Sequence, residues 1–275
     1  MRQKDARQKA IDRPRALLEA VRAARAAGAL LRRNWRAPKK IEAATQHDVK
    51  LELDVRCQNL IEGRLRTAFP AVAFLGEEGT AGDPRAPYRW VVDPIDGTVN
   101  FAYEIPHACV SIALQARRDK PGKEPAGGDY ETLVGAVFDP FCGELWTAVR
   151  GGPARLNGRP IHVSRRARLR EAIVAIGFAR YDAAWQKRLP PFQDLVRRVR
   201  KLRLMGSAAL DLVYVASGRM DAYLECGVRL WDIAAGGLIV ECAGGEFWRQ
   251  SIGEPHIYHV IATNGLLRRS LGRLG

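Results

Sequence analysis

Cysteine is scarce: Cys57, Cys109, Cys142, Cys226 and Cys242 lie far apart in 275 residues. With no C-x-x-C pair and an odd count, a zinc ribbon, a dithiol redox centre and a disulfide framework are excluded, and the thiols read as reduced and mostly buried. Histidine is as sparse, His256 and His259 being the only close pair. That leaves no imidazole cage for a metal, and His107, just ahead of an apolar run, reads as structural. Long hydrophobic runs are missing too. Val110 to Leu114 is short and bounded by charge, against the roughly 20 apolar residues of a membrane span. Arg13, Arg15, Arg22, Arg25, Arg32 and Arg33 break up the N-terminal stretch and leave no apolar core for a secretory signal, which points to the cytoplasm. Acidic residues are outnumbered 30 to 44, giving a formal charge of +14 and a pI near 10.0. Such a field attracts phosphorylated substrates, RNA or acidic proteins without choosing among them, and a genome-wide taste for arginine and alanine would produce it equally.

What is present is enough for one sizeable core, with 47% hydrophobic residues. The chain reads as a single domain, 1–275, in halves of about 13–150 and 151–275 that meet near Gly151 to Gly158, with 1–12 a frayed tail. Leu17, Leu18, Val21, Ala24 and Leu31 space one amphipathic helix over Pro14 to Arg33. Gly28 lies on its apolar face, where it costs about 1 kcal/mol against alanine but admits a close neighbour. Val49 to Ala68 reads as a second helix ended by Pro70. Ala71 to Leu75, Trp90 to Val92, Val110 to Gln115, Val134 to Asp139 and Leu145 to Val149 read as strands of a mixed or antiparallel sheet, with Lys120 to Asp129 an exposed loop. Further on, strands at Ile173 to Ile176 and Asp221 to Leu224 alternate with helices at Pro191 to Arg200, Ser207 to Ala216 and Ile233 to Cys242, an α/β arrangement.

Three acidic groups follow apolar runs: Gly76-Glu77-Glu78, Asp93-Pro94-Ile95-Asp96-Gly97-Thr98 and Trp231-Asp232. Singly, each reads as a turn or a helix cap. Together at one sheet edge they would repel one another unless a cation neutralised them. Magnesium, a hard ion, takes such carboxylates together with water and phosphate oxygens. Gly97 lets the chain turn tightly and aim amide hydrogens at an anion. Asp232, opening the helix from Ile233, can cap it and turn its other oxygen to a metal, with the helix dipole favouring phosphate nearby. The aspartates of DPIDGT are three apart, unlike the D-x-D of phosphatases that use an aspartyl nucleophile.

GEE, WVVDPIDGTVNF, GSAALDLVYVASGRMDAYLE and ECGVRLWDIAAGGLIVECAGG, in that order over nearly the whole chain, resemble the motifs of the inositol monophosphatase family. The resemblance implies an αβαβα layered sandwich, a homodimer, and hydrolysis of a phosphate monoester with two or three Mg2+ ions, myo-inositol monophosphate being the first substrate. It assigns metal coordination to Glu77, Asp93, Asp96, Asp232 and the carbonyl of Ile95. Catalytic water is assigned to Glu77 and Thr98, with Asp54 orienting the threonine hydroxyl; read from the residues alone, Asp54 is equally a solvated helix acid. Substrate contacts fall to Asp96, Gly97, Thr98, Asp232, the turn Gly206-Ser207-Ala208 and Glu225, whose carboxylate suits polyol hydroxyls. Without the family, Ser207 is simply a helix cap. Glu78 is left out of the site. Fructose 1,6-bisphosphate, histidinol phosphate and 3'-phosphoadenosine nucleotides are the rival substrates. An RNA-binding or transcription-associated role is the rival of another class, argued by charge but lacking basic residues interleaved with aromatics.

Overall fold

The computed structural model describes residues 10–45, 49–118, 130–178 and 189–271. The loop expected at Lys120 to Asp129 and most of the expected tail lie outside them. The tail is not frayed at its end, for Asp12 caps the first helix by accepting the Arg15 N–H at 3.0 Å, and Ile11 packs on the core.

The helices are α1 Arg13–Asn34, α2 Glu52–Ala68, α3 Thr98–Ala102, α4 Leu189–Arg198, α5 Ala208–Ala216, α6 Leu230–Cys242 and α7 Arg268–Leu271. The strands are β1 Ile41–Ala44, β2 Val49–Leu51, β3 Ala73–Gly76, β4 Gly79–Ala81, β5 Tyr88–Asp96, β6 Cys109–Arg117, β7 Tyr130–Asp139, β8 Glu144–Val149, β9 Arg155–Leu156, β10 Arg159–Pro160, β11 Ile173–Phe178, β12 Lys201–Arg203, β13 Ala222–Arg229, β14 Glu246–Ser251 and β15 Ile257–Thr263. The first large sheet runs β10-β9-β8-β7-β6-β5-β3-β4 and is antiparallel except where β3 meets β5. The second runs β12-β11-β13-β15-β14, parallel on the β12 side and antiparallel on the β14 side.

Side-chain alternation explains the layers. On β5, Trp90 and Val92 join the cluster under α1 and α2, whereas Val91 points to the opposite face, into the cluster built on α5 and α6. That second cluster also takes Tyr223, Val260 and Ala262 from the other sheet, so α5 and α6 form a layer between the sheets. A smaller cluster of Leu195, Val199, Leu267 and Leu271 covers the far face. The order is therefore helix, sheet, helix, sheet, helix: the expected αβαβα sandwich. Both chain halves share the central cluster, and among the described residues no helix is long and apolar enough to cross a membrane.

Two expectations need correction. Val49 to Leu51 is a strand paired with β1, and the helix starts only at Glu52, because Asp54 in its first turn accepts the Leu51 N–H at 2.6 Å and so caps it there. The thiols are less buried than expected: Cys57 and Cys109 are buried, Cys226 and Cys242 half-buried and Cys142 exposed.

Gly28 has the close neighbour its position implies: a Cβ there would lie 2.5 Å from Cε1 of the Phe138 ring on β7. The helix gain of about 1 kcal/mol for alanine is set against overpacking that costs about 1–3 kcal/mol. Gly28→Ala is therefore expected to lower the melting temperature by a few degrees in calorimetry, and an unchanged or higher value overturns the close-packing account.

Candidate active site

Glu77 follows the C-terminal end of β3, Asp93 and Asp96 end β5, and Asp232 sits in the first turn of α6, directly after β13. On β5, Asp93 shares the face of Val91 and so points into the central layer. The pairing with β6 is then interrupted between Asp93 and Asp96, and the bulge re-aims the strand end. There Asp93 accepts the Ile95 N–H at 2.9 Å. Asp96 turns toward α5, where it accepts the Ser207 hydroxyl at 2.6 Å and the Ala209 N–H at 2.7 Å.

Gly97 has φ of 95°, and a Cβ on it would lie 2.9 Å from the His107 carbonyl. Only glycine meets both conditions. Gly206 is also left-handed, with φ of 76°. Its turn is tied to α3 by Asn100, whose amide donates to the carbonyls of His107 and Met205. Ser207 caps α5, accepting the Leu210 N–H at 3.4 Å while donating to Asp96, so the cap and the site contact are one residue's two roles. Ala208 follows it as the first helical residue.

Asp232 is not the helix cap expected of it. The helix starts two residues earlier, at Leu230, and Asp232 reaches back to accept the Arg229 N–H at 3.0 Å. One carboxylate oxygen is thus held by the backbone, as the capping idea required, from the third helical position.

Electrostatically the four acids act on one another. Burial raises the Asp93 carboxyl well above the usual range, as do the charges of Glu77, Asp96 and Asp232 and a hydrogen bond shared with Asp232. Asp232 is raised likewise, by burial and then by Asp96 and Glu77. Burial pushes Asp96 up to about 6, although its donors from Ser207 and Ala209 pull the other way. Among the described residues, no three of these side chains stand as a closed metal cage. Asp96 is turned into its α5 donors, and Asp93 and Asp232 lie within hydrogen-bond reach of each other. The donor set is oxygen only and mutually repelling without a cation, which fits a hard divalent ion and not zinc. Glu78 is elsewhere, paired with Lys50 and accepting nothing from this cluster.

Thr98 donates its hydroxyl toward the Ile95 carbonyl at 2.8 Å and lies 3.3 Å from Oδ1 of Asp54. Asp54 is 1% exposed, so the solvated-acid reading falls. Glu225 stands on β13, its carboxylate laid over Gly177 of β11 and receiving the Tyr223 hydroxyl. A side chain at Gly177 would occupy the place of Glu225. Burial first, and then the charge of Asp96, bring the Glu225 carboxyl to about 7 against the pull of Tyr223. Three neighbours were not anticipated: Tyr223, Cys109 with its thiol 3.8 Å from Asp96, and Asp211, buried with Oδ1 unpartnered and raised by burial and Glu225. Tyr223 was legible, since two residues along a strand share a face. The others depend on contacts between distant segments.

The inositol monophosphatase family model matches residues 14–261. Inositol monophosphatase 1 of Solanum lycopersicum is 36% identical over 260 residues, 91% of each chain. The Nus factor SuhB of Pseudomonas aeruginosa is 40% identical over 237 residues, 82% of each. Among solved structures, the extragenic suppressor protein suhB of Bartonella henselae superposes with a TM-score of 0.83 at 32% identity, covering 94% of this chain and 96% of that one. With that family match spanning the core and the acidic cluster alike, the chain belongs to the inositol monophosphatase family, whose members are phosphoric monoester hydrolases.

Proposed function

We propose that this single-domain chain is a cytoplasmic, homodimeric, magnesium-dependent phosphatase that hydrolyses a small polyol monophosphate, myo-inositol monophosphate first. The observation that carries the reading is the convergence of Glu77, Asp93, Asp96 and Asp232 on one end of the sandwich, with Asp93 and Asp232 sharing a hydrogen bond. With the Ile95 carbonyl, these residues would hold two or three Mg2+ ions, which supply Lewis-acid stabilisation of the phosphate and lower the pKa of the attacking water.

The chain's own groups do the rest. Glu77 and Thr98 orient the water for in-line attack. Asp54 directs the Thr98 hydroxyl. The amides at Gly97 and Thr98 face the phosphate, and Ser207 and Ala209 hold Asp96 in place. The Gly206-Ser207-Ala208 turn and Glu225 receive the alcohol side of the substrate. Fructose 1,6-bisphosphate, histidinol phosphate and 3'-phosphoadenosine nucleotides are the alternatives. The relatives named Nus factor support a second reading, a transcription-associated role.

Glu225 sets a pH dependence. Its carboxyl lies at about 7, raised from the ordinary value. It is therefore neutral below that pH, a weaker acceptor for substrate hydroxyls, and ionised above it, where it accepts stronger, charge-assisted hydrogen bonds from them. KM for inositol monophosphate is expected to fall as pH rises through about 7, and Glu225→Gln to flatten this limb. The linkage runs the other way for stability: the neutral form is favoured on folding, so Glu225 costs stability as pH rises from its ordinary value to about 7. Glu225→Gln should therefore melt higher than the parent at pH 8 and equally at pH 4. A limb that survives the substitution removes Glu225 from substrate binding.

The activity itself is tested by phosphate release from inositol phosphates and the three rivals, with magnesium and with chelator. Magnesium-dependent release supports the reading and ranks the substrates. Folded, metal-bound protein that hydrolyses none of them overturns it.

A further inference from the structure

The chain's excess positive charge is not spread evenly. The segment Arg197-Arg198-Val199-Arg200-Lys201-Leu202-Arg203 holds five cations in seven residues, where the end of α4 passes into β12. Val199 is 9% exposed and Leu202 packs on the same small cluster with Leu195, Leu267 and Leu271. Because the two apolar residues turn inward, all five cations turn out, and each is exposed.

Neighbouring segments repeat the device. Leu169 anchors on that cluster between Arg168 and Arg170, and Leu267 and Leu271 anchor the turn carrying Arg268 and Arg269. These segments adjoin: the amide of Arg200 donates to the Ala172 carbonyl at 3.0 Å, and the Arg198 guanidinium to the Ser270 carbonyl at 3.3 Å. Asp194 pairs with Arg198, and Glu171 lies near Arg168 and Arg170. Among the described residues, no carboxylate comes within ion-pair distance of Arg197, Arg200, Lys201, Arg203 or Arg269.

Guarding an edge strand against stray pairing explains Lys201 and Arg203, since β12 ends its sheet. It does not explain cations on α4, on α7 and on the turn at Leu169. A genome-wide preference for arginine does not place them around one cluster either.

We propose that this edge is a nucleic-acid-binding surface that takes the phosphodiester backbone of a single strand without reading its bases. Arginine guanidinium groups suit phosphate oxygens. Among the residues whose side chains are described, no aromatic ring stands open there to stack a base, Trp248 lying under Arg268 with its guanidinium carbon 5.6 Å from the ring centroid. Among the described residues, the exposed aliphatic side chains here, Val196, Leu204 and Leu266, come singly from different segments and form no continuous apolar face of the kind a lipid surface needs. The inference is independent of the phosphatase reading, because none of these cations belongs to the acidic site.

The test is fluorescence anisotropy of a labelled 20-nucleotide uridine RNA, and of thymidine DNA of equal length, against the full chain. With about five phosphates neutralised, a single strand gives a log–log salt slope of about −3.5, or about 100-fold weaker binding at 200 mM than at 50 mM salt. The triple variant Arg197→Glu, Arg200→Glu, Arg269→Glu should lose at least tenfold in affinity for either strand. An equal charge change on α1, Arg25→Glu, Arg32→Glu, Arg33→Glu, should lose less than threefold. Phosphate release should be unchanged in both. No binding at 50 mM salt, equal losses in the two triples, or loss of phosphatidylglycerol-vesicle binding with RNA binding intact overturns the proposal.

Discussion

Asp96→Asn is expected to abolish magnesium-dependent phosphate release, a fall on the order of 10³-fold or more in kcat, since Lewis-acid stabilisation contributes several kcal/mol to the transition state. The fold should survive. Asp96 accepts from Ser207 and Ala209 through one oxygen, Oδ2, and an asparagine oxygen can keep both bonds. What changes is the opposite side, where an amide replaces the oxygen available to a cation. The variant also removes one negative charge from a buried group that already includes Asp93, Asp232 and Glu77. In the absence of metal it should therefore melt no lower than the parent, and the rise in melting temperature that magnesium gives the parent should shrink or vanish. Phosphate release, calorimetry and magnesium titration read the three effects separately. If more than a tenth of the activity remains, Asp96 is not a ligand; if activity is lost together with folding in metal-free buffer, its role is in the bond to α5.

The acids of this site were legible because each follows a strand that could be read from apolar composition. Trp90 to Val92 fixes which face Asp93 takes, and Gly97 marks the turn beyond Asp96. What was not legible has identifiable causes. The first strand, Ile41–Ala44, is exposed along its whole length, so no alternation marks it. Strands β9 and β10 are two residues each, below any periodic signal. The apolar run predicts a start of α6 at Ile233, but the helix opens three residues sooner, at Leu230, because Asp232 satisfies the Arg229 amide from inside it. The strand β15, Ile257 to Thr263, was missed although its apolar run, interrupted by His259, suits a strand buried on both faces.

Glu78 shows the limit most clearly. It is the same residue type as Glu77 and its chain neighbour, yet the two carboxylates go to different places. Glu77 faces the acids, while Glu78 pairs with Lys50 and donates its backbone N–H to Oε1 of Gln58 at 2.8 Å. Lys50 precedes α2, and Gln58 lies within it. Assigning roles to adjacent acids therefore requires the packing of α2 against β3, which no local pattern contains.

Thr98 carries the second large expectation. Its hydroxyl has a single hydrogen to give and two acceptors in reach, the Ile95 carbonyl at 2.8 Å and Asp54 at 3.3 Å. If the Ile95 carbonyl serves as a metal ligand, the Thr98 hydroxyl would give its hydrogen to Asp54 instead and keep its lone pairs free to orient a water. Thr98→Val, which keeps shape and removes the hydroxyl, should lower kcat on the order of 10²- to 10³-fold, within the range for a lost water-orienting or proton-accepting group. Thr98→Ser should restore most of it. Asp54 requires a gentler substitution, since its other oxygen caps α2 through the Leu51 amide at 2.6 Å, and alanine would cost about 1 kcal/mol or more in lost capping. Asp54→Asn keeps an acceptor for Leu51 and presents an amide to Thr98, and it should lower kcat about 10- to 100-fold with KM little changed. In the double variant the Asp54 effect should largely disappear, because its only catalytic route is the threonine hydroxyl. Additive losses in that cycle would mean that Asp54 acts independently of Thr98, and full activity in Thr98→Val would mean that water is positioned by the acids alone.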